Sequence, residues 1–184
     1  MERRRTAMLV AFALHNAEGI AFADRGARPD ARFVARLRLT EDDYRPERMS
    51  IAMVILTAAV TVATCPGAVL RQPSSTMAGM TASGALAVNA VGHLVLAVSR
   101  RQCNPGLATA PLLLATSTAV LRALRAASSL PLARMGFAVG AGAMLSVPAI
   151  AASLRVARVL SPAPALLVRM LPLHRSPRAA LSRS

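Results

Sequence analysis

TMAGMTASGALAVNAVGHLVLAVS, Thr76 to Ser99, is 24 residues long and contains no Asp, Glu, Lys or Arg. At ~1.5 Å of rise per residue a helix of that length reaches about 36 Å, more than the ~30 Å of a bilayer's hydrocarbon core. The stretch therefore predicts a membrane-spanning helix. Gly79, Ser83 and Ala87 recur at every fourth position, a spacing that lets a neighbouring helix come close. Asn89 and His93 are also four apart, which puts both on one helix face.

Outward from this stretch the pattern repeats. Ile51 to Leu70 supplies 20 uncharged residues, with Pro66 and Gly67 near the end, where a break costs least, and Arg71 to Ser75 makes a tight connection. On the other side Arg100 to Gly106, RRQCNPG, is a basic stop followed by an Asn-Pro-Gly turn. Leu107 to Leu121 is apolar but short, so that span extends to 125 by letting Arg122 and Arg125 reach out of the lipid. Met135 to Leu154 adds 20 uncharged residues, and Thr6 to Ala23 is an apolar run broken by His15, Asn16 and Glu18.

The resulting expectation is an all-α integral membrane bundle of five spans near 6–23, 51–70, 76–99, 107–125 and 135–154, forming one domain over 1–160. Asp24 to Ser50 is the polar loop, with a short interfacial turn at Phe33 to Leu39. Residues 161–184 are a Pro- and Arg-rich tail, too broken to span and expected to be partly disordered or to lie on the headgroups.

Charge supports lipid as the solvent. All 22 basic residues are Arg, and all eight acids precede residue 48. A soluble surface intersperses both signs, so a carboxylate-free stretch from Arg48 to Ser184 argues against a water-exposed helical bundle. The Arg sit between apolar runs, with 3% aromatics, so no nucleic-acid partner is expected and the bilayer is. With the amino terminus outside, 15 Arg fall in the cytoplasm and seven outside, although Arg3, Arg4 and Arg5 favour the opposite arrangement. Those three, the apolar Ala7 to Leu14 and Ala21-Phe22-Ala23 also fit a signal peptide cleaved before Asp24. His15 and Glu18, between the apolar core and that cut, argue against cleavage. Cys65 and Cys103 fall at ends of antiparallel neighbours on opposite membrane faces, so no disulfide is expected. Walker-type and Gly-x-Gly-x-x-Gly loops, the Gly-x-Ser-x-Gly turn and the His-Glu-x-x-His pair are all missing, so no nucleotide is expected.

The residues a bilayer should reject point to a site. His15 and Glu18 share one face of the first span, Asn89 and His93 one face of the third, and the two spans run in the same direction. Counted from the span midpoints, the pairs lie about 1 to 5 Å and 2 to 8 Å beyond centre at ~1.5 Å per residue, at a common depth. An unpaired carboxylate there costs at least ~2.5 to 3.5 kcal/mol, so Glu18 needs a partner, with His93 or an Arg as the candidates. Two imidazoles and a carboxylate also form the ligand set of a facial triad. One expectation is thus a divalent metal on His15, Glu18 and His93 that activates water, with Glu18 and Asn89 as catalytic groups and Asn89 polarising a lipid-soluble substrate. The same residues also suit a transport or ligand-binding path, or plain helix-to-helix glue in a structural subunit. The sequence leaves these open, together with the oligomeric state.

Leu14-His15-Asn16-Ala17-Glu18-Gly19 resembles the opening motif of the HXXEE family of small bacterial membrane proteins. Val88 to His93 and then Arg100 to Gly106 resemble that family's Asn-x-x-x-His helix and the basic turn ending in Pro-Gly. The likeness covers roughly Ala7 to Leu121. It implies a multi-pass protein of the bacterial cytoplasmic (inner) membrane, without naming a reaction. Gly19 stands where the motif has its second Glu, and Cys103-Asn104 stand where an aromatic often precedes Pro-Gly.

Overall fold

The computed structural model describes residues 1–22, 31–64, 73–128 and 130–161. Among them every regular element is helical: α1 (Glu2–Ala21), α2 (Ala31–Arg36), a 3-10 turn (Glu41–Tyr44), α3 (Pro46–Thr64), α4 (Pro73–Arg100), α5 (Ala110–Ala127) and α6 (Leu132–Leu160). The regions Pro46–Thr64, Thr76–Arg100 and Leu132–Leu160 are long and apolar enough to cross a membrane. Residues 65–70 and the tail from 162 lie outside the described residues, as does Cys65. Cys103 is a free, exposed thiol.

A helix in lipid must satisfy its polar groups internally. In α3 the hydroxyls of Thr57, Thr61 and Thr64 each donate to the carbonyl four residues back, at 2.8, 2.8 and 2.7 Å. Pro46 opens this helix at a position that has no intrahelical use for an N–H. α6 continues through Pro148, which leaves the Met144 carbonyl without its usual helical donor. Val62, Val98, Phe137 and Met144 are all more than 70% exposed on the outer surface, an arrangement suited to lipid and costly in water.

α1 packs on α5 and α3, α4 on α5 and α6, and α3 on α6, so the helices close a ring in the order α1, α5, α4, α6, α3. One core joins Met8 and Phe12 of α1 to Met80 and Leu86 of α4 and to Leu113 and Val120 of α5. α4 and α6 approach most closely at Gly84 and Gly142. A Cβ at Gly84 would meet Val139 Cα at 2.8 Å, and one at Gly142 would collide with the Thr81 carbonyl. The expected small-residue stripe is only part of this contact: Gly79 faces Leu124, and Ser83 is buried against Met8.

Residues 31–46 lie across one end of the ring as a lid. Val34 and Leu39 bury themselves against Ala52 of α3 and Ala151, Leu154 and Ala157 of α6. Asp43, fully buried, is the clasp: it accepts from the Thr40 amide at 2.7 Å and from the Thr40 hydroxyl at 3.0 Å. It also accepts from Arg158 Nε at 2.7 Å and Arg48 Nη1 at 3.2 Å, with a second Arg158 contact through Nη2. Arg155 donates to the Leu37 carbonyl. These partners explain why α6 runs past the expected end at 154. The interfacial turn expected at 33–39 is instead α2 followed by the 3-10 turn, and α1 begins at Glu2, carrying Arg3 to Arg5 within the helix.

Burial raises the Asp43 carboxyl, but the hydrogen bond and charge of Arg158 and the Thr40 donors outweigh it, lowering it from its ordinary 3.8 to about 2. A carboxyl depressed on folding stabilises the fold above its unfolded value, and that contribution is lost as pH falls through about 2. Thermal melts of the purified protein should therefore lose midpoint between pH 4 and pH 2. In Asp43→Asn the midpoint should already be lower at pH 7, by a loss of about 1–3 kcal/mol, and the drop between pH 4 and 2 should be smaller. A second melt tests the helix contact: Gly142→Ala should cost about 1–3 kcal/mol, whereas Gly140→Ala, with nothing within 4 Å of its added methyl, should be neutral or slightly stabilising.

Candidate functional site

The ends of α1, α4 and α6, the starts of α3 and α5, and the lid meet at one side of the bundle. The 3.6-residue period of α1 brings His15, Asn16 and Gly19 to the inside, and that of α4 brings Asn89 and His93 to face them. The imidazoles of His15 and His93 meet edge to face, with centroids 4.7 Å apart and planes at 84°. Asn16 donates from Nδ2 to Thr57 Oγ1 at 3.0 Å and ties α1 to α3.

Glu18 is turned the other way. Its carboxylate accepts from the amides of Ala108 and Thr109 at 3.0 and 2.9 Å, and from the Thr109 hydroxyl at 2.6 Å. Those amides belong to the N-cap of α5 and the residue before it, where backbone N–H groups have no helical partner and the helix dipole favours a negative charge. Thr109 is the N-cap of α5 but makes no cap bond with its own side chain, so a carboxylate from α1 performs the capping. This contact fixes where α5 begins, at Ala110 rather than at the expected 107.

The hydrogen-bond directions follow from the chemistry of the end groups. A carboxylate only accepts, so the Thr109 hydroxyl donates to Glu18 and its oxygen is left to accept from His15 Nδ1 at 3.0 Å. His15 Nε2 then carries the lone pair and receives a hydrogen bond from the Asn89 amide nitrogen at 3.1 Å. The relay Asn89, His15, Thr109, Glu18 thus runs one way and holds His15 neutral with its proton on Nδ1. His93 has a parallel arrangement. Its Nδ1 donates to Asn104 Oδ1 at 2.7 Å, while Asn104 Nδ2 donates back to the His93 carbonyl at 2.9 Å. In the neutral ring this places the lone pair on His93 Nε2.

The Pro-Gly turn completes the site. Gly106 is buried with φ of +90°, and a Cβ there would lie 2.6 Å from His15 Cε1 and 3.1 Å from His93 Cε1. Both backbone conformation and space demand glycine, because the turn is packed directly on the two rings. Beside them lies a cavity of about 1000 Å³. His15, Asn89, His93 and Asn104 line one wall, and Val34, Leu39, Met49, Met53, Leu56 and Ile150 line the wall formed by the lid, α3 and α6.

Of the four residues marked by sequence, the structure thus gathers His15, Asn89 and His93 around the chamber and places Glu18 one hydroxyl behind His15. Among the described residues no group of three or more His, Cys, Asp or Glu side chains stands ready to hold a metal ion. The rings that would offer two ligands are adjacent, but both Glu18 oxygens are engaged by α5. Thr109, Asn104 and Gly106 were not anticipated as site residues. A polar residue just before an apolar run signals a helix cap, and the Asn-Pro-Gly turn was legible as a turn. Neither signal says that the turn lies against histidines.

Histidine ¹⁵N NMR in bilayers tests the relay. In their neutral forms both His15 and His93 should show the Nδ1–H tautomer; Thr109→Val should erase that preference at His15 and leave it at His93. An Nε2–H form at His15 in the unsubstituted protein would contradict the assignment.

Comparison with known proteins agrees with the motif reading. No curated protein and no solved structure is detectably similar to the chain. A family described as proteins of unknown function with an HXXEE motif matches residues 6–121, which contain every side chain of the relay, the Asn104 clamp and the Gly106 turn. The chain therefore belongs to the HXXEE family, with Gly19 in place of the motif's second glutamate.

Proposed function

We propose that this protein is a membrane-embedded acid/base catalyst whose chamber takes a lipid-soluble molecule and presents its polar end to His15 and His93. The observation that carries this reading is the joining of a largely apolar cavity of about 1000 Å³ to two imidazoles in contact. Such a cavity is of a size that encloses a drug-sized or larger ligand, with a few polar groups to orient it. His15 Nε2 is the proton acceptor. Its acidity is set from behind by Thr109 and Glu18, because a carboxylate at the end of the relay stabilises the imidazolium that forms. Asn89 releases its hydrogen bond to Nε2 as the proton arrives and is placed to donate to a substrate oxygen instead. His15 returns that proton from Nε2 to the other end of the reacting group, and His93 Nε2, with its lone pair, accepts a hydrogen bond that orients the substrate.

A divalent metal remains a second reading, favoured by the adjacency of the two rings. It would bind through the Nε2 atoms of His15 and His93 and displace the Asn89 contact, with water or substrate completing its shell. In either case we read the bundle as five spans in the bacterial inner membrane, a reading supported by the three helices among the described residues that are long and apolar enough to cross a membrane. The lid end, which carries most of the loop Arg, then faces the cytoplasm by the positive-inside rule.

Extraction of the protein purified in native-lipid nanodiscs, followed by mass spectrometry, tests the reading. His15→Ala should retain a lipid-soluble compound, the unreacted substrate, that the unsubstituted protein holds only in converted form. Met53→Trp, which fills the chamber, should retain neither. Equal recovery from all three proteins would reject the reading. Metal content separates its two forms: stoichiometric metal that disappears in the His15→Ala, His93→Ala double variant supports the metal centre, and equal content in both proteins removes it.

A further inference from the structure

Gly19 lines the chamber one turn beyond His15, and a Cβ there would meet nothing within 4 Å. The position at which the family motif carries its second glutamate is therefore open space facing the cavity. Among the described residues, the charged side chains that line the chamber are Glu41, Asp42 and Arg45, all on the lid. Asp42 and Arg45 pair with each other at 2.8 Å and are more than half exposed to solvent. At the level of the imidazoles the lining side chains are His15, Asn16, Asn89, His93 and Asn104, which offer donors and acceptors and no carboxylate, with the Nδ1 atom of each ring bonded to Thr109 or Asn104. Glu18 is spent on the α5 amides and Asp43 on the lid clasp.

An ionic headgroup drawn into this wall would lose its water and find no opposite charge, whereas a hydroxyl, ketone or ester exchanges water for Asn and His one bond at a time. We infer that the chamber selects uncharged amphiphiles, and that Gly19 sets this selectivity by withholding a carboxylate. The inference rests on the reading of the chamber as a ligand site and specifies what that site accepts. The tail fits against Val34, Leu39, Met53 and Leu56, and the neutral head lies beside the two rings. A glutamate at 19 would stand four residues from His15 on the same helix face and would turn the chamber into a site for a cation.

Three amphiphiles of one chain length test this: hexadecanol, hexadecyl sulfate and hexadecyltrimethylammonium, each added at low mole fraction to the protein in zwitterionic nanodiscs. Bound adducts are read by native mass spectrometry. The unsubstituted protein should bind the alcohol at least ten-fold more tightly than either ion. Gly19→Glu should gain ten-fold or more for the ammonium, and Gly19→Gln, equal in size and uncharged, should keep the preference for the alcohol. Binding of either ion as tightly as the alcohol would overturn the selectivity and leave the chamber as a ligand site. A preference for the alcohol that Gly19→Glu does not move would overturn the role of Gly19. Failure of all three amphiphiles to bind would overturn this inference and the ligand site together.

Discussion

A carboxylate on an apolar helix has to be neutralised or solvated by protein, and in this chain the helix N-terminus of α5 does it. Glu18 takes two backbone amides and the Thr109 hydroxyl, charge-assisted bonds worth more than neutral ones. Much of the site follows from that contact. It docks α1 on α5, fixes the start of α5, and brings the turn at residues 104–106 over the imidazoles. It also leaves Thr109 with only an acceptor to offer His15. The catalytic polarity proposed for His15 is thus a by-product of how the bundle caps one of its helices.

The second constraint lies at the lid. A buried Asp43 gathers Arg48 from α3 and Arg158 from α6, so the segment that roofs the chamber is held to the two helices that form its apolar wall. Burying a charge is costly unless it is paired and hydrogen-bonded, and Asp43 is satisfied on both oxygens. The result is a chamber with chemically distinct sides: imidazole and amide on the α1, α4 and turn side, and mostly hydrocarbon on the lid, α3 and α6 side, with Glu41, Asp42 and Arg45 at the lid. An amphiphile placed there is oriented by the walls before any chemistry begins.

The architecture was legible where it depends on translation along a helix. Uncharged runs located the long helices, and the fixed rise per residue set His15 and His93 at one depth, where the rings indeed touch. Partners supplied by backbone were not legible. The amides that hold Glu18 have no side-chain signature, so the sequence points only to His93 or an Arg as its partner. Asp43 was equally hidden, since Glu41, Asp42 and Asp43 read alike and only the fold selects the one that turns inward. Gly79, Ser83 and Ala87 recur at the expected spacing, yet the tightest approach is at Gly84 and Gly142, because helix rotation is set by the whole ring and not by one stripe. Gly19 was read as a departure from the motif; its place on the chamber wall gives that departure a physical meaning.

The contact between the two imidazoles is the point on which the account turns. Magic-angle-spinning NMR of protein labelled only at histidine, in lipid bilayers, measures it directly, with His174→Gln removing the third ring from the spectrum. Through-space cross peaks between the rings of His15 and His93, at a separation of about 5 Å, are the predicted result. Two isolated rings, with no transfer between them at mixing times that reach 7 Å, would contradict the account.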